Sequence, residues 1–158
     1  MINKIFLCIA LNSLSATKMP MQTASIQTAC SHVGYLILQS QKNDLSPFIL
    51  ASLIWHESRW EHDAVSNKNA CGLTQILTKY SSHSCEELKD PRTSIKEGVA
   101  ALTYWKNHAK DMSTALKCYN SGYECSSNSY ARIVLAKSEI LKKEYYKQKL
   151  KLTEKLDE

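Results

Sequence analysis

The sequence predicts a mainly α-helical domain. Apolar residues recur at three- and four-residue spacings through most of the chain, while the alternation that builds half-buried strands is scarce. Only four glycines and three prolines occur in 158 residues, which excludes collagen-like or low-complexity character and leaves room for long helices. A chain of this length suits one domain with a sizeable core, and neither an internal repeat nor a linker divides it.

Residues 1–24 have the pattern of an export signal. Met1 to Lys4 carries one basic residue, Ile5 to Leu11 is a short apolar core, and Ser13, Ser15 and Ala16 supply small residues. The apolar run is too short to span a bilayer, so no transmembrane helix is expected in the mature chain. The bland alternative is a disordered arm. The mature domain is then expected over 25–141, with a charged helix or tail over 142–158.

A first helix is expected from Thr23 to Gln41, striped by Ile26, Cys30, Val33, Leu36, Ile37 and Leu38. Asn43 to Ser46 forms a turn. Ser46 is a suitable N-cap and Pro47 suits the first turn of the next helix. Leu50, Leu53 and Ile54 precede Glu57 by seven, four and three residues, so they share its face. That places a carboxylate on the apolar side of a helix near its C-terminal end. Burial and the negative end of the macrodipole both favour its protonated form, as a general acid requires.

From Trp60 to Cys71 the period is lost, and a long loop with a possible small hairpin is expected. Thr74 to Tyr80 reads as a short helix, and Ser81 to Asp90 as a polar connection. Asp90-Pro91 opens another element, with Ser94 and Glu97 in capping-box spacing and Ile95, Val99, Leu102 and Trp105 on one face. A short helix over Ser113 to Tyr119 ends at Asn120-Ser121-Gly122. The last helix begins near Ser127 to Ser129, turns Ile133, Val134, Ile140 and Leu141 inward, and projects into solvent beyond Lys142.

Removing Cys8 with the signal leaves five cysteines, so not all can pair within the chain. Cys118 and Cys125 bracket a short loop and are the preferred disulfide, with Cys71 and Cys85 second; unpaired buried thiols are the alternative. The absence of a CxxC pair argues against structural zinc, and no metal site is expected. A net charge of +5 suits anionic partners, but no basic run interleaved with aromatics reads as a nucleic-acid motif. His56-Glu57 begins like HExxH, but position 60 is Trp. Neither a G-x-S-x-G elbow nor a phosphate-binding glycine loop is present.

Glu57-Ser58, Trp60, Ala64, Ser66, Ala70, Gly72, Leu73 and Gln75 match, in type and spacing, the leading motif of the soluble lytic transglycosylase family. Asp90-Pro91 with Ile95 and Gly98 resembles its next segment. Ala115-Leu116 with Tyr119-Asn120-Ser121-Gly122 resembles its A-Y-N-[AS]-G motif, and Tyr130 with Val134 its final tyrosine motif. The resemblance covers about Ser46 to Leu141. Asn69 stands where the family has Gly, Thr78 where Pro often ends the motif, and Cys71 and Cys118 where Met and Ala are common.

The resemblance implies a lysozyme-like α domain with a long active-site loop or small hairpin, cleaving peptidoglycan glycan strands without a cofactor. Glu57 would be the acid and base of the cut. Ser66 would lie near the substrate N-acetyl group, Gln75 would bind sugar or fix the loop, and Tyr119 would orient Glu57. Asn120 would hold the turn or contact glycan, Tyr130 would give substrate-binding or catalytic support, and Ser58 and Gly72 would be structural. From the residues alone, Ser66 and Asn120 are equally good turn formers, Gln75 a backbone cap, and Tyr119 and Tyr130 core aromatics. A periplasmic enzyme serving a secretion, conjugation or pilus apparatus is expected. Its rivals are a phage virion enzyme, a hydrolytic lysozyme and a peptidoglycan-binding module without turnover.

Overall fold

The computed structural model describes residues 1–154 and is mainly α-helical. Seven helices follow in order: α1 (Lys4–Ser15), α2 (Thr23–Lys42), α3 (Pro47–Ser58), α4 (Cys85–Leu88), α5 (Pro91–His108), α6 (Met112–Ser121) and α7 (Asn128–Glu154). Between α3 and α4 lies a two-stranded antiparallel hairpin, β1 (Ala70–Cys71) with β2 (Ile76–Leu77), in the register Ala70–Leu77 and Cys71–Ile76.

Helix α3 is the centre of the molecule. The Ser46 hydroxyl accepts from the Ile49 N–H and Pro47 occupies the first turn, as the sequence indicates. Leu50, Ala51, Leu53 and Ile54 are wholly buried, because α2 and α7 both pack against this helix. Its stop is a pair of left-handed residues, Arg59 (φ 54°) and Trp60 (φ 63°). The Arg59 guanidinium lies 3.8 Å from the Trp55 ring centroid and donates to the Trp55 carbonyl at 2.6 Å. A cation over an aromatic face and on a carbonyl of the last helical turn offsets the cost of the left-handed backbone.

The N-terminal segment is not a disordered arm. Helix α1 packs against α2 and α7, and Leu7, Ala10 and Leu11 are wholly buried, with Met19 in the following turn. A disulfide joins Cys8 to Cys30, the Asn3 N–H donates to the Tyr145 hydroxyl at 2.9 Å, and the Trp55 indole N–H donates to the Pro20 carbonyl at 3.2 Å. Pairing Cys8 changes the cysteine arithmetic. All six thiols are engaged, through Cys8–Cys30, Cys71–Cys85 and Cys118–Cys125.

Other departures have local causes. Thr74 to Tyr80 is not a helix: Gln75 adopts φ 51°, β2 follows, and a 3-10 turn covers Thr78–Tyr80. The polar connection before α5 contains α4, and the capping box belongs to Ser84 and Glu87. Helix α5 is capped by Asp90, whose carboxylate accepts from the Thr93 N–H at 2.8 Å, while Ser94 is buried under the hairpin loop. Leu38, expected inward, is 45% exposed. Tyr145, expected beyond the core, is buried and meets the Phe48 ring edge-on, so the packed body extends past residue 141 along α7. Residues 155–158 of the expected tail lie outside the described residues. Among the described residues, no helix is long and apolar enough to cross a membrane.

Candidate active site

Glu57 occupies the last turn of α3, after three wholly buried residues of its own face. Its side chain is partly exposed, so a ligand can reach it, yet the surrounding protein withholds enough water to matter. Burial raises its pKa to about 7, against a smaller lowering by a hydrogen bond from Tyr130. No neighbouring carboxylate among the described residues contributes to the shift. A carboxyl group near half-protonated at neutral pH can both give and take a proton.

The Tyr130 hydroxyl donates to Glu57 Oε1 at 2.5 Å from the first turn of α7. Tyr130 is held in turn by His56, whose ring meets it edge-on at 4.9 Å, and by Tyr119, nearly parallel at 6.5 Å. Burial and the negative Glu57 raise both phenols well above the usual tyrosine range, so both keep their protons as donors.

The expected orienting role of Tyr119 requires correction. Its hydroxyl donates to the Thr74 carbonyl at 2.8 Å, and Tyr130 is the tyrosine bonded to the acid. Tyr119 braces the hairpin loop and the Tyr130 ring. In the sequence the two tyrosines are equally plausible core aromatics; only the docking of α7 on α3 separates them.

The loop facing α3 is held by its own side chains. The Ser58 hydroxyl donates to the Leu73 carbonyl at 2.9 Å and so pins the loop to the end of α3. Gln75 Nε2 donates to the carbonyls of Ala64 (3.1 Å) and Gly72 (3.0 Å), which places this amide in the loop framework. Ser66 Oγ accepts from the N–H groups of Ala70 (3.1 Å) and Lys68 (3.3 Å) and retains its own proton for donation. Asn120 is exposed and its Oδ1 accepts from the Ser127 hydroxyl at 2.6 Å, bridging the turn between α6 and α7. Asn69 takes a left-handed φ of 60°, a conformation open to Asn in the absence of Gly.

Gly72 is required twice over. Its φ is +77°, and an added Cβ would lie 1.9 Å from the Leu88 carbonyl oxygen. Gly98 of α5 gives way to Thr74, whose Cγ2 would be 2.4 Å from an added Cβ. The Thr74 hydroxyl donates to the Ser94 carbonyl at 2.7 Å, and its N–H donates to Ser94 Oγ at 3.1 Å. Thr74 and Ser94 thus fix the carbonyl that receives Tyr119, a part that sequence reasoning missed. No local pattern signals it, because Ser94 lies 20 residues from Thr74 on another element.

Tyr130→Phe keeps the ring and removes the donor to Glu57. We expect turnover to fall about 10- to 100-fold through misplacement of the acid, with KM less affected. Losing the hydrogen bond that lowers the Glu57 pKa shifts the alkaline limb of activity to higher pH. A pH–activity profile checks both, and an unmoved limb with unchanged turnover would remove Tyr130 from the site.

The model of the transglycosylase SLT domain family matches residues 34–136, a span from within α2 to within α7 that includes Glu57, Tyr119 and Tyr130. No curated protein matches the chain significantly. The chain therefore belongs to the transglycosylase SLT domain family.

Proposed function

We propose that this family member is a peptidoglycan lytic transglycosylase that cleaves the β-1,4 bond between N-acetylmuramic acid and N-acetylglucosamine. The observation that carries the reading is the Glu57 carboxyl, poised near pKa 7 and bonded by Tyr130. Protonated Glu57 donates to the glycosidic oxygen as the bond from C1 breaks. The resulting carboxylate takes the proton of the muramoyl C6 hydroxyl, whose oxygen closes on C1 to form the 1,6-anhydro ring. Glu57 ends protonated, ready for another cycle, and no water is consumed.

This sequence of steps requires one carboxyl group, where most glycosidases use two. A second carboxylate close to Glu57 would raise its pKa by like-charge repulsion, and burial accounts for the rise here. Of the two acids of the loop, Asp63 is exposed, and neither it nor the half-buried Glu61 contributes to the Glu57 shift. Both points favour internal ring closure over hydrolysis.

The setting we propose is the periplasm, where the enzyme opens the wall locally for a secretion, conjugation or pilus apparatus. Three disulfides suit an oxidising compartment. A phage virion enzyme would share this chemistry.

Mass analysis of muropeptides released from purified sacculi tests the reaction. Anhydromuropeptides are expected. Reducing-end products would identify a lysozyme, and sacculus binding without release would identify a binding module.

A further inference from the structure

Away from Glu57, the C-terminal end of α5 and the 3-10 turn Gly122–Glu124 bring four rings together at the surface. Tyr104 and His108 stack with centroids 4.2 Å apart and planes 30° apart. Trp105 meets Tyr104 edge-on at 5.0 Å and Tyr123 edge-on at 5.1 Å. The hydroxyls of Tyr104 and Tyr123 are hydrogen-bonded at 2.9 Å. Yet Tyr104 is 42% and Tyr123 is 84% exposed, so the rings are ordered among themselves while their outer surface remains open.

We infer that Tyr104, Trp105, His108 and Tyr123 form a second carbohydrate platform, which receives an N-acetylhexosamine unit of the same glycan strand that Glu57 cuts. The inference rests on the proposed transglycosylase reading and extends it to a subsite. Three features select this occupant. Aromatic faces edged by hydroxyls match a pyranose ring, which presents C–H groups on its faces and hydroxyls around its rim. The platform is also built in advance. Cys118–Cys125 closes the turn that carries Tyr123, and Gly122 at φ 67° allows the chain to fold back towards α5. A rigid aromatic surface loses little entropy on binding.

The third feature is continuity with the acid. Gly98 of α5 touches Thr74, whose carbonyl receives the Tyr119 hydroxyl, and Tyr119 stacks on the tyrosine bonded to Glu57. From Gly98 to Tyr104 is six residues of helix, about 9 Å of rise.

The test uses the Glu57→Gln chain, to prevent cleavage, and calorimetric titration with β-1,4 N-acetylglucosamine tetramer and hexamer. The hexamer should bind more tightly, and Tyr104→Ala with Tyr123→Ala should remove that advantage, about tenfold, while leaving tetramer affinity unchanged. Tyr123→Phe, which keeps the ring, should retain most of it. Matching circular dichroism melts establish that the variants are folded. Equal weakening of both oligomers, or an undiminished advantage for the hexamer, overturns the platform. So does a change in sedimentation without a change in glycan binding, which would make the rings a self-association surface. Failure of the transglycosylase reading looks different: the wild-type chain would release no anhydromuropeptides from sacculi, whatever the platform variants bind.

Discussion

Glu57→Gln is expected to lower glycan release by about 10²- to 10⁴-fold, the usual contribution of a positioned acid. The amide keeps an acceptor for the Tyr130 hydroxyl, so fold and glycan binding should persist. In the wild type, activity should decline as pH rises through about 7, where the acid loses its proton. Stability should respond in the same direction. The folded carboxyl holds its proton up to about 7, against an ordinary value of 4.5, so the folded state binds that proton more tightly. Its contribution is therefore complete below the unfolded value and is lost as pH rises through the folded one, a change of about 3 kcal/mol. The Gln variant lacks this dependence and should gain stability on the wild type between pH 5 and 8. Turnover retained by the variant would eliminate Glu57 as the acid. Parallel pH–stability curves would contradict its burial.

Deleting residues 1–21 should cost most of the stability of the domain. Leu7, Leu11, Leu14 and Met19 are nearly or wholly buried. Each such side chain contributes about 1.5–3 kcal/mol. Closing the loop between Cys8 and Cys30 adds about 3 kcal/mol. Together these rival the about 5–15 kcal/mol that separates a whole domain from its unfolded state. Thermal unfolding by circular dichroism should show a truncated chain that is unfolded or melts far below the full chain. Cys8→Ser alone should have a smaller effect, about 2–4 kcal/mol. A truncated chain that melts with the full one would make α1 an ornament.

The same segment shows where sequence reading reaches its limit. A short apolar run with small residues after it fits an export signal, and nothing local to it names the partners that bury it as a helix. For α1 those partners are Cys30 and Tyr145, 22 and more than a hundred residues away. By contrast, α3 was legible because its cap, its proline and its apolar spacing are all local. The hairpin loop was legible as a loop, but β2 was not. The left-handed Gln75 that sets it up is held by carbonyls of Ala64 and Gly72, contacts that propensity does not encode. At the site, Glu57 stood out because its own helix defines its surroundings. The exchange of roles between Tyr119 and Tyr130 was hidden for the opposite reason. Each tyrosine takes its part from an element far along the chain.

Helix α7 carries Tyr130, bonded to Glu57 across 73 positions of sequence, and Tyr145, bonded to Asn3 across 142. One rod therefore closes the candidate site and the N-terminal layer together. Contacts so distant in sequence form late, because long loops must close before they are rewarded. During vectorial synthesis or threading, α3 emerges with a carboxyl that has no phenolic partner. The complete acid arises only when nearly the entire polypeptide has appeared and α7 has docked. A chain without α7 lacks the Glu57–Tyr130 pair, so assembly of that pair coincides with completion of the core.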